Sequence, residues 1–150
     1  MKLALALNER AELTTKISEL SKRLNANALV QENEKPAEDP SELLQQLIES
    51  LVRFEELIAR INHTNSVTRV KGQSLTACLA KRDCLKKRVS VMRSFLDAAS
   101  QRVDRYSAKE IKICSTVSVP ELRKQVDSWA KELRLLDQDI QEANWLTELI

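Results

Sequence analysis

Glycine is almost missing from this chain of 150 residues: Gly72 stands alone, beside three prolines, two tryptophans, two phenylalanines and one tyrosine. With one glycine there is no glycine-rich loop to cradle a phosphate. The single histidine, His63, and the three cysteines, Cys78, Cys84 and Cys114, show none of the short paired spacings of a zinc site. Cys78 and Cys84 stand six residues apart on one expected helix, point in different directions and cannot bridge. The thiols are expected reduced, with no metal and no cofactor. No run approaches the about 20 apolar residues that span a bilayer as a helix. The opening "MKLALAL" is closed by Asn8, short of the roughly 7 to 15 apolar residues of a secretory signal. No export signal and no membrane span are therefore expected, and the protein is placed in the cytoplasm.

What remains is rich in Leu, Ala, Glu, Lys, Arg and Gln, the better helix formers. The length suits one domain, 1–150, and the expected class is all-α. Leu3, Ala6, Leu13, Ile17, Leu20 and Leu24 step by three or four and predict a helix over 2–28. In "DPSE", Asp39 is a cap, Pro40 sits where a missing amide costs nothing, and Glu42 completes a capping box, opening a helix over 41–63. Its seam reads Leu44, Leu47, Leu51, Phe54, Ile58 and Ile61. Leu43, Ile48, Val52 and Leu57 widen the apolar arc past half the circumference, which implies burial against two or more neighbours. "NHTNSVTRVKGQS" breaks the period and reads as a connection. A third helix is expected over 75–106, with Cys78, Leu85, Val89, Met92, Leu96, Ala99 and Val103 on its seam and Arg82 at a seam position. "IKICSTVSV" alternates β-branched residues with others, so a short extended segment near 111–117 is expected to pair with "SVTRV". Ser118, Pro120 and Glu121 open a fourth helix over 120–142, whose narrow seam runs Leu122, Val126, Trp129, Leu133, Leu136, Ile140 and Ala143. The sum is an elongated antiparallel four-helix bundle with coiled-coil-like helices.

Charge is balanced overall, 24 basic against 22 acidic side chains, but it is sorted along the chain. Glu32 to Glu56 holds eight acids and two bases; Arg69 to Lys112 holds twelve bases and four acids. Lys81 and Arg88 flank one side of the third seam, and Arg82, Lys86 and Arg93 the other, positions that reach a neighbouring helix. Pairing with the acidic second helix or with another subunit accounts for them. Nucleic-acid or small-ligand binding through 69–112 is the alternative, but the aromatics and reading motifs of that class are missing. Polar residues gather at the helix ends. Asn62, Asn65, Arg69, Arg82, Arg102, Asp104, Arg105, Tyr106, Lys112, Asn144 and Trp145 form the candidate polar site, with C-capping and dipole compensation as the plainer role. No nucleophile, base and oxyanion set is present, so catalysis is not expected.

Taken together, "KLALALNERAEL", "PAEDPSELL", "ELIARINHTN", "SQRVDRYSAKEIK" and "IQEANW" resemble a family of small bacterial helical proteins, some of which carry the name septicolysin. The resemblance implies an all-helical fold and supplies no catalytic residues; the name implies a membrane-lytic activity. The helices here have core seams, not one apolar face set against a basic one. The function expected from the residues is that of a non-enzymatic helical assembly or interaction protein, a homo-oligomer in which a second copy covers the part of the second helix's apolar arc that one bundle core does not need, with any other protein partner unidentified.

Overall fold

The structure is a computed structural model and describes residues 1–101 and 113–150. It is helical: α1 (Leu3–Ala26), α2 (Pro40–Val67), α3 (Leu75–Ser100) and α4 (Val119–Leu146), with the two-residue strands β1 (Arg69–Val70) and β2 (Gln73–Ser74) paired between α2 and α3. The chain falls into two compact units, Met1–Arg69 with Gln141–Ile150, and Val70–Ile140.

In the first unit α1 and α2 run antiparallel, since Glu9 pairs with Arg53 at 2.7 Å while Arg23 pairs with Glu38 just ahead of α2. The Arg53 guanidinium that hydrogen-bonds Glu9 holds its carboxyl below the ordinary carboxylate range. The connection is fixed by Asn27, whose Oδ1 accepts from the Glu38 amide at 3.0 Å while its Nδ2 donates to the Arg23 carbonyl at 2.9 Å. Asp39 then caps α2 as expected, accepting from the Ser41 amide at 2.8 Å, with Pro40 in the first turn.

The phase of α2 differs from the expected one. Its buried side chains are Leu43, Ser50, Leu57, Ile61 and Thr64, and the half-buried Leu47 and Phe54 complete a strict three-four repeat from 43 to 64. Two polar residues hide that repeat in the sequence. Each hydroxyl donates within its own helix, Ser50 to the Gln46 carbonyl at 2.7 Å and Thr64 to the Arg60 carbonyl at 2.8 Å, so both are buried with their donors satisfied. Leu44, Ile48, Leu51 and Val52 are exposed. The wide apolar arc is real, but burial on several sides is not what this chain does with it. The same local bonds carry α2 on to Val67 through residues that read as a helix breaker, with Ser66 donating to the His63 carbonyl at 2.7 Å.

The last residues of the chain complete this unit. Lys2 and Glu148 form an antiparallel bridge, the Leu3 amide donates to the Thr147 carbonyl at 2.9 Å, and the Leu149 amide donates to the Met1 carbonyl at 2.8 Å. The Glu148 carboxylate takes the Lys2 ammonium at 2.7 Å and the Met1 amino group at 3.1 Å, which keep it below its ordinary pKa. Arg60 reaches the carbonyls of Ile150 and Leu149 at 3.2 and 3.4 Å, and Thr64 Oγ1 accepts from the Ile150 amide at 3.0 Å.

In the second unit α3 and α4 are also antiparallel: Lys71 pairs with Asp139 at 2.5 Å, Lys81 with Glu132 at 2.8 Å, and the Arg88 guanidinium lies 5.1 Å from the Trp129 ring centroid. The seams match the expected ones. Val89, Leu96 and Val126 are buried together, with Met92, Val119, Leu122 and Trp129 packed on them. Of the expected bundle, then, two antiparallel helix pairs are present. Helix α3 ends at Ser100, whose hydroxyl donates to the Leu96 carbonyl, and the extended Gln101 follows; 102–106, read as its continuation, lie outside the described residues. Ser74 caps α3 by accepting from the Ala77 amide at 3.1 Å. "SVTRV" does supply a strand, but its partner is Gln73–Ser74 across the turn at Lys71 and Gly72, both with positive φ, and residues 113–117 lie in neither helix nor strand. A turn that Gly72 permits at φ 85° closes a local hairpin, which costs less chain entropy than pairing with a distant segment.

Candidate functional site

The polar residues singled out at the helix ends have separate fates. Asn62 and Asn65 lie near the end of α2, exposed and half-buried; Asn144 is buried and Trp145 exposed at the end of α4. No hydrogen bond among the described residues joins these four. Arg69 is exposed in β1, and Arg82 is half-buried on α3, its guanidinium 3.0 Å from Asp83 and 3.9 Å from Asp137. Arg102, Asp104, Arg105, Tyr106 and Lys112 lie outside the described residues.

The basic stretch finds its partners on α4. Lys71, Lys81 and Arg82 face Asp139, Glu132 and Asp137, and Arg88 stacks its cation on Trp129. The acidic second helix, expected to neutralise this stretch, instead pairs Glu56 with its own Arg53 at 3.1 Å. The sequence held the answer in Glu132, Asp137 and Asp139, three acids on the helix following α3.

These pairs frame an open groove of about 260 Å³ in the second unit. Val70, Leu135, Leu136 and the buried Cys78 line it with apolar surface, and the Lys71–Asp139 and Lys81–Glu132 pairs stand at its edges. It is smaller than the roughly 300 to 1,000 Å³ of ordinary ligand pockets. Because each lysine at its edge already meets a carboxylate, an anionic ligand has to displace an ion pair to be held there. Cys78, Cys84 and Cys114 are free thiols, and among the described residues no three His, Cys, Asp or Glu side chains come together as metal ligands.

A second surface lies on α2, where the apolar arc is wider than one core requires. At about 100° per residue, Leu44, Ile48, Leu51 and Val52 fall within an arc of about 100° on α2, well round the helix from the Leu43–Leu57–Ile61 face. They are 49, 52, 45 and 63% exposed. The excess width of the apolar arc is their signal in the sequence.

The described residues thus form two antiparallel helix pairs, with an exposed apolar face on α2. The chain belongs to a family of unknown function, DUF6847, whose profile matches residues 10–149. It is similar to a protein of solved structure, described as "a functionally unknown conserved protein from Corynebacterium diphtheriae", at 45% identity and a TM-score of 0.91, over 100% of this chain and 99% of that one. No curated protein matches the chain. Neither description mentions a lytic activity, so the name septicolysin gains nothing from them. Among the described residues no helix is long and apolar enough to cross a membrane.

Proposed function

We propose that this is a non-enzymatic helical assembly protein that self-associates. One observation carries the reading: the exposed stripe of Leu44, Ile48, Leu51 and Val52 on a well-formed helix. Single exposed apolar side chains are ordinary, but four in one continuous helical face mark an interaction surface. Covering such a face with another copy removes apolar area from water at about 25 cal/mol per Å² and needs no other gene product. Ligand or nucleic-acid binding through the basic stretch has less support, because Lys71, Lys81 and Arg82 are already paired with carboxylates within the second unit.

Sedimentation equilibrium at micromolar concentration is expected to give a mass above that of the single chain. Ile48→Glu, which places a charge in the middle of the stripe, is expected to return the protein to one chain while its helical circular dichroism is retained. A single-chain mass for the unsubstituted protein overturns the reading.

A further inference from the structure

The stripe on α2 has a complement elsewhere on the same sequence. On α3 the exposed Cys84, Val91 and Phe95 step by seven and four, and so share a face turned away from the buried Cys78, Leu85, Val89 and Leu96. Val91 is 58% and Phe95 42% exposed. Lys87 borders this face on one side and Arg88 on the other, with no acid between them; Arg88 stays exposed and meets no carboxylate among the described residues, its one contact being the face of Trp129. The α2 stripe is bordered by Glu49 and has Glu55 within it; both are exposed. The bases of α2, Arg53 and Arg60, lie away from the stripe, Arg53 on Glu9 and Arg60 on the carbonyls of Leu149 and Ile150.

We infer that the occupant of the acid-bordered apolar face of α2 is the base-bordered apolar face of α3 from a second copy of the chain. This inference rests on the self-association proposed above and specifies which surfaces meet. Charge decides among the three pairings that these two faces allow. An α2 to α2 contact sets Glu49 and Glu55 against their own counterparts, and an α3 to α3 contact does the same with Lys87 and Arg88. Each of those buries apolar area at the expense of like charges brought together. Only α2 against α3 joins apolar to apolar with acid beside base. Each copy offers both faces, so each can take either part in the pairing.

The test uses two charge-reversed full-length chains, Glu49→Lys/Glu55→Lys and Lys87→Glu/Arg88→Glu, each checked by circular dichroism. Each alone is expected to associate at least tenfold more weakly than the unsubstituted chain in sedimentation equilibrium. An equimolar mixture is expected to regain association as a mixed species, because every contact in it is again acid against base. Disulfide formation reports the contact directly, including where a charge variant misfolds. In a Cys114→Ser chain, cysteine is placed at Leu44, Ile48 or Leu51 in turn, and peptide mapping of a tagged and untagged mixture is expected to find a bond to Cys84 of another copy. Oligomers indifferent to both charge reversals overturn the inference and leave self-association standing. So does bonding only between two α2 cysteines, or only within one chain. A monomeric unsubstituted chain removes the proposed function itself, and the inference with it.

Discussion

Leu57→Ala lowers the unfolding free energy by about 2 to 5 kcal/mol, the expected cost of emptying a fully enclosed leucine site. Leu57 is 0% exposed and sits in the middle of the three-four repeat that faces the interior of its unit, with Leu43 and Ile61 on either side along the helix. The loss has two parts: the transfer free energy of the deleted methyl groups, and the contacts their neighbours forfeit when a rigid helix pair cannot close the gap. Phe54→Ala is the more tempting substitution, since Phe54 is the only aromatic of α2, but its ring is half-buried and truncating it is expected to cost less than truncating Leu57. Urea denaturation of the two variants side by side decides this. A midpoint shifted more by Phe54→Ala than by Leu57→Ala refutes the assigned phase of the helix.

Deleting residues 147–150 is expected to cost on the order of 3 to 5 kcal/mol, although only four residues leave and two of them, Glu148 and Ile150, are exposed. The size follows from what they cover and satisfy. Leu149 is buried, and its removal forfeits roughly 1.5 to 3 kcal/mol of apolar burial. The deletion also strips the partners of the Leu3 amide and the Met1 carbonyl, and Thr64 Oγ1, itself fully buried, loses the amide of Ile150. Those bonds are worth about 0.5 to 1.5 kcal/mol each. The Glu148 ion pairs contribute little because they are exposed. Glu148→Gln alone therefore leaves the thermal midpoint nearly unchanged. Thermal denaturation that finds the deletion as mild as Glu148→Gln contradicts this account.

The helices were legible because their signals are local: the Asp39–Pro40 start, the seams of α1, α3 and α4, and the turn residues around Gly72. The phase of α2 was not, since it depends on where two hydroxyls send their protons. Ser50 and Thr64 look like interruptions in a list of side chains, yet each satisfies its donor one turn back and occupies a buried position. The uncovered stripe was half legible: its width was read as surface for a second copy, but Leu44 and Leu51 were placed on the core seam. The charge partners on α4 were missed because composition was compared between blocks of sequence, whereas ion pairs form between helices that lie side by side. The candidate polar site was chosen from helix ends, and four of its residues, Asn62, Asn65, Asn144 and Trp145, sit where their helices end.

The bridge from Lys2 to Glu148 bears on the order in which the molecule folds. Each helix pair is built from partners near in sequence, and such contacts close small loops and form quickly. The bridge encloses almost the whole chain, and its ends are drawn together at an entropy cost that rises with the logarithm of the enclosed length. It is expected to form after the rate-limiting barrier, so that weakening it speeds unfolding and leaves the refolding rate unmoved. Stopped-flow chevrons of a Leu149→Ala chain test the order: a slowed refolding limb means that the ends meet early, and a steeper loss on the unfolding limb alone means that they act as a latch on a molecule already formed.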